Sequence, residues 1–143
     1  MLRPEPRPIV FAPDFLGIAL IDPAGLRILN LWRDGRLQPV VNRPLLLSYF
    51  RVFRTLGLPD LLVRRWAWWL VSPPQSRFLA EPSEPGSTAM ALCAVLARKT
   101  RAEWIVHSGR VLSPPIPDSD QAASVPWILP NELLRHLENG KGT

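Results

Sequence analysis

Ile9-Val10-Phe11-Ala12-Pro13-Asp14-Phe15-Leu16-Gly17-Ile18-Ala19-Leu20 reads as a short strand that runs straight into a helix. Ile9-Val10-Phe11 is an apolar run between Pro8 and Pro13, with no polar residue to mark a solvent face. Such a run is a candidate for a fully buried strand. Proline fits the first turn of a helix and breaks its interior, so Pro13 opens the helix that follows. Asp14 then sits where a negative charge meets the positive end of the helix dipole.

The same punctuation divides the rest of the chain. Its 143 residues include 17 prolines, which fall at the edges of segments and form no repeat. Pro23 opens a second helix with Leu26, Leu29, Leu31 and Trp32, closed by Gly35. Pro39-Val40-Val41 is a second short strand, and Pro44 opens a strong helix to about Gly57, with Leu46, Leu47, Phe50 and Phe53 at helical spacing. Pro59-Asp60 starts a helix that reaches Val71. The stretch 73–87, rich in proline, reads as loop. Ser87 or Thr88 caps a helix with Ala89, Leu92, Cys93, Leu96 and Ala97 on one face. Trp104-Ile105-Val106 is a third strand and Val125–Leu129 a fourth, placed at a sheet edge by Pro126. Pro130 opens a last helix, stopped by Gly140.

Short apolar strands alternating with helices indicate an α/β fold, with a mostly parallel central sheet and helices on both faces. The length suits a single domain over 1–143, with residues 1–7 and 140–143 expected to be flexible ends. Ligands of such sheets bind beyond the carboxyl ends of the strands. Here those ends are Phe11–Asp14, Val41-Asn42-Arg43 and Val106-His107-Ser108-Gly109.

Composition narrows the chemistry. Hydrophobic residues at 47% and charged residues at 20% exclude a disordered chain. No apolar stretch approaches the ~20 residues of a membrane span. The N-terminal apolar run is broken by Pro13 and Asp14, so no secretory leader is expected. The single cysteine, Cys93, excludes an internal disulfide and a cysteine-built zinc site. A cytoplasmic location follows as the expectation. The net charge is +5, and all but two of the 17 basic residues are arginine. That balance reflects either composition bias or an anionic partner, RNA among them.

Three phrases, in order, carry a family resemblance. Ile9–Leu20 is the first, Ala102-Glu103-Trp104-Ile105-Val106-His107-Ser108-Gly109-Arg110-Val111-Leu112 the second, and Val125-Pro126-Trp127-Ile128-Leu129-Pro130-Asn131-Glu132-Leu133-Leu134 the third. Together they resemble the opening, late and closing segments of the PIN domain, the fold of many toxin–antitoxin ribonucleases. The resemblance implies a three-layer PIN-like sandwich. It also implies carboxylates that gather Mg²⁺ or Mn²⁺, hard ions that take oxygen ligands and activate water.

Carried over position by position, those acids are missing. The family's aspartate at the first strand end falls on Ala12, and the acid of the long helix falls near Leu47-Ser48. The acid opening the helix before the late strand falls near Ser87-Thr88, and the last aspartate falls on Gly109. Asp14 lies two residues past the first of these positions, and Glu81 and Glu84 lie just before the third. The resemblance with Ala12, Asp14, Ser48, Ser87 and Gly109 at the site therefore implies a degenerate PIN-like protein. It would lack nuclease activity and a metal cofactor, and act by binding protein or nucleic acid. The alternative is a divergent Mg²⁺- or Mn²⁺-dependent endoribonuclease of the toxin class, using Asp14 with Glu81 or Glu84.

Two further groups stand out. Arg110, His107, Ser108 and Ser87, flanked by Arg43 and Arg77, form a metal-free composition suited to an anion. His107 and Ser108 have no acid in their own motif to complete a triad. In Arg64-Arg65-Trp66-Ala67-Trp68-Trp69, the residues Leu62, Trp66, Trp69 and Leu70 share one helical face. Trp68 falls instead with Leu61, Arg64 and Arg65, and Arg64, Arg65 and Trp68 are an interface composition. The partners in view are a second copy in a homodimer, an antitoxin-like protein, or RNA.

Overall fold

The computed structural model describes residues 6–73, 75–79, 89–109 and 125–140. Along the chain run β1 (Arg7–Phe11), α1 (Pro13–Ile18), α2 (Pro23–Arg33), β2 (Leu37–Asn42), α3 (Arg43–Leu56), α4 (Asp60–Val71), β3 (Arg77–Leu79), α5 (Ala89–Thr100), β4 (Trp104–Val106), β5 (Trp127–Ile128) and α6 (Pro130–Gly140). The strands form one five-stranded sheet in the order β3-β2-β1-β4-β5. Every pairing is parallel, with Ile9 beside Pro39 on one side and Trp104 on the other.

The prolines act as the sequence suggests. Pro13, Pro23 and Pro44 occupy the first turns of α1, α2 and α3, and Pro59 is the residue before α4. Two helix starts are also capped by side chains, Asp22 accepting from the Gly25 N–H at 3.1 Å and Asn42 from the Leu45 N–H at 3.0 Å. Each cap satisfies a backbone donor that the helix itself leaves unpaired. Gly57, at φ 70°, ends α3 in the left-handed conformation that glycine adopts without steric penalty.

Successive side chains of a strand point to opposite faces. Ile9, Val10 and Phe11 are all fully buried, so both faces of β1 are covered. The chain moves outward from β1 to β2 and returns past β1 between β3 and β4. Right-handed crossovers then place α2 and α5 on opposite faces. α2 packs on β2 and against α6, while α5 packs on β1, β2 and β4 and touches α3. This is the α/β sandwich with a parallel sheet, consistent with the PIN-like architecture that the sequence implies. An aromatic chain fills the core, from Phe15 through Phe11 and Trp32 to Trp69, at centroid separations of 5.0, 5.5 and 5.6 Å. Among the described residues, no helix is long and apolar enough to cross a membrane.

Four expectations need correction. Within the stretch read as loop, Arg77–Leu79 is a strand, paired with Val40, Val41 and Asn42. Three residues carry too little pattern to announce it, and the β2 edge supplies its partners. In α3 the inward row is Leu45, Tyr49 and Phe53, whereas Leu47 is exposed. In α2 Ile28 is buried and Leu26 exposed. Arg7, expected in a flexible end, is the first residue of β1, and its guanidinium grips Glu103 through two bonds of 2.7 and 2.9 Å.

Candidate functional site

Strand order reverses at β1, which has β2 on one side and β4 on the other. In open α/β sheets the crevice at such a switch point, beyond the strand carboxyl ends, is the usual ligand site. Here it is bounded by the exit of β1 into α1 and the exit of β4 at His107-Ser108-Gly109. The Ala12 N–H continues the ladder by donating to Val106 O at 2.9 Å. Ala12 is buried, and its extended backbone serves as the cap position of α1.

Asp14, in the first turn of α1, crosses this crevice. Its Oδ2 accepts from the Ser108 N–H at 2.9 Å and from the Ser108 hydroxyl at 2.5 Å. One carboxylate oxygen thus ties the exit of β4 to the start of α1. His107 turns elsewhere: its ring meets Trp127 edge-on at 5.8 Å, and its Nδ1 accepts from the Gly109 N–H at 3.2 Å. The acid that the local motif lacks therefore arrives from α1, but it serves Ser108 and leaves His107 outside any relay. Gly109 has φ 77°, and a Cβ there would stand 3.0 Å from the Leu129 side chain.

Ser48 does not reach the crevice as a ligand; its hydroxyl donates to Pro44 O at 3.2 Å, within its own helix. The neighbouring Tyr49 does reach it. Tyr49 is fully buried, and its phenol donates to the Phe11 carbonyl at 2.5 Å, at the carboxyl end of β1. Cys93 of α5 is also fully buried. Burial, and then the Asp14 carboxylate, push its thiol far above the ordinary range. Burial, with Cys93 second, does the same to the Tyr49 phenol. Tyr49 and Cys93 are thus protonated, apolar-packed groups behind Asp14. Sequence reasoning placed Cys93 in the core and passed over Tyr49; the i, i+4 row of Leu45, Tyr49 and Phe53 was the signal that could have found it.

The remaining site candidates divide by position. Ser87, Arg110, Glu81 and Glu84 lie outside the described residues. Ser108 is described, and both of its donors face a carboxylate. Arg64, Arg65 and Trp68 are exposed on α4, far from any role in its packing.

A divalent hard cation wants several anionic oxygens. Among the described residues, no three Asp, Glu, His or Cys side chains come together as a metal would require. Asp14 supplies one carboxylate already engaged by two donors, and the groups behind it are a neutral phenol and a neutral thiol. The donors among the described residues do not by themselves make a site for Mg²⁺ or Mn²⁺; Glu81 and Glu84 lie outside those residues. No family model, curated protein or solved structure matches the chain.

Proposed function

We propose that this chain is a PIN-like domain that has no metal-dependent ribonuclease activity and works by binding another protein. The observation that carries the reading is the Asp14–Ser108 contact. A nuclease of this fold would need the switch-point crevice to gather carboxylates around a metal and to leave them free of other donors. Here Asp14, the acid in the first turn of α1 at this crevice, is engaged in holding two segments of the chain together. The order of elements and the three sequence phrases support the PIN-like assignment. A cytoplasmic setting is part of the reading, supported by Cys93 as the single cysteine, buried as a reduced thiol.

The test is cleavage of single-stranded and structured RNA with Mn²⁺, alongside calorimetric titration of Mn²⁺. The expected result is no cleavage above a no-protein control and no saturable heat. Mn²⁺-dependent cleavage that disappears in Asp14→Ala would overturn the proposal. It would establish the divergent ribonuclease, with Glu81 or Glu84 as the next residues to replace.

A further inference from the structure

We propose that the outward face of α4 docks an acidic amphipathic helix of a partner protein. The inference rests on reading the chain as a binding domain and names the partner chemistry. α4 needs only part of its apolar surface for the core. Trp66 and Leu70 are buried, and Trp69 meets Trp32 edge-on at 5.6 Å. On the other side, Leu61 is 80% exposed and Trp68 70% exposed. They are seven residues apart, so they stand on one stripe about two turns, or ~10 Å, apart. That is the spacing at which a facing helix presents consecutive apolar positions of a heptad.

Charge selects the occupant. Arg64 and Arg65 lie between the two apolar residues in sequence and flank the stripe on either side of the helical wheel. Both are exposed, and neither forms an ion pair with a described residue. A partner with Asp or Glu beside an apolar centre meets both demands. A second copy does not: antiparallel pairing of two α4 faces brings Leu61 of one copy to Trp68 of the other only by setting Arg64 beside Arg64 on one flank and Arg65 beside Arg65 on the other. Like charges held in contact oppose that arrangement, in a chain already at +5. RNA would satisfy the arginines and stack on Trp68, but it leaves the aliphatic Leu61 without a partner. An apolar stripe with basic flanks is matched in full by the acidic helix.

The probe is a synthetic amphipathic helical peptide with leucine at heptad positions and glutamate on both flanks, labelled for fluorescence anisotropy. A second peptide replaces the glutamates by lysine. Wild-type protein should bind the glutamate peptide saturably and the lysine peptide not at all. Trp68→Ala should weaken binding about tenfold or more, as for a central anchor. The double variant Arg64→Glu/Arg65→Glu should reverse the preference towards the lysine peptide. An unchanged far-ultraviolet spectrum and urea midpoint for both variants keep the comparison on binding. No saturable binding at millimolar peptide, equal binding of both peptides, or binding unchanged in Trp68→Ala would overturn the proposal. So would poly(U) RNA binding that depends on Trp68, or a concentration-dependent dimer abolished by Trp68→Ala, each pointing to the other occupant. Mn²⁺-dependent cleavage by the wild type would overturn the non-catalytic reading and leave the peptide result to decide the docking face.

Discussion

The Asp14 carboxylate and Ser108, 94 residues apart in sequence, meet through two hydrogen bonds that close the carboxyl edge of the sheet between β1 and β4. Bonds to a charged acceptor are stronger than neutral ones, at about 1.5–3 kcal/mol each where water is excluded. Both residues here are only half-buried, so solvent competes and the lower end applies.

Removing the acid should therefore cost more than removing the hydroxyl. Ser108→Ala keeps the backbone bond and should lower stability by about 1 kcal/mol. Asp14→Ala loses both bonds to Ser108, for about 2 kcal/mol. Urea unfolding of both single variants and the double variant measures this. Strictly additive losses would contradict a direct Asp14–Ser108 coupling.

A second prediction concerns the corner between α1 and α2. A Cβ on Gly25 would lie 2.7 Å from the Ala19 Cα and 2.9 Å from its carbonyl oxygen, both fixed backbone atoms. Alanine in a helix ordinarily gains about 1 kcal/mol over glycine. Here overpacking reverses the sign, and Gly25→Ala should destabilise by about 2 kcal/mol. Gly17→Ala meets side-chain ends instead, Leu56 Cδ1 at 2.9 Å and Val52 Cγ1 at 3.0 Å, which can turn aside. Its loss should be smaller, and thermal melts of the two variants should rank them in that order.

The tryptophans of α4 separate core from surface within three residues. Trp66 is 6% exposed and packs on Phe53 at 5.1 Å, so Trp66→Ala should cost about 3–5 kcal/mol. Trp68→Ala should stay within about 0.5 kcal/mol of wild type. Chemical denaturation followed by circular dichroism distinguishes the two. A large loss at Trp68 would mean that its ring supports the fold.

How much of this could be read beforehand follows from the range of each interaction. The helix starts were legible because proline acts on its own backbone, and Pro13, Pro23 and Pro44 sit where local sterics put them. The buried strand Ile9-Val10-Phe11 was legible because burial on both faces removes polar alternation. Arg77–Leu79 was not, since a three-residue strand exists only through the register that β2 offers. The choice of Tyr49 over Leu47 for the inner row turned on a phenol that finds the Phe11 carbonyl, a partner 38 residues away. That Ala12 and Gly109 at the strand ends are not acidic could be seen in the sequence; that Asp14 is engaged by Ser108 could not, because no local pattern links them.

The last prediction follows from Tyr49 and Cys93, both fully buried and both held protonated in the folded chain. In the unfolded chain the thiol ionises near pH 8.5 and the phenol near about pH 10. Above each of those values the unfolded state has released a proton that the native state keeps. Fewer protons bound by the unfolded state means that stability falls as pH rises. The stability conferred by the raised thiol is thus complete below about pH 8.5, and declines above it by up to about 1.4 kcal/mol per pH unit. Beyond about pH 10 the phenol adds a second decline of similar slope. Urea midpoints between about pH 7.5 and 10.5 should show the first decline in wild type and lose it in Cys93→Ala. Tyr49→Phe should keep the first decline and lose the added steepness above about pH 10, while starting about 1 kcal/mol lower because the Phe11 carbonyl has lost its donor. A thiol reagent should label Cys93 only as fast as the protein opens. Labelling of native protein at the rate of the urea-unfolded chain would show that the thiol is not buried, and the alkaline decline would then need another source.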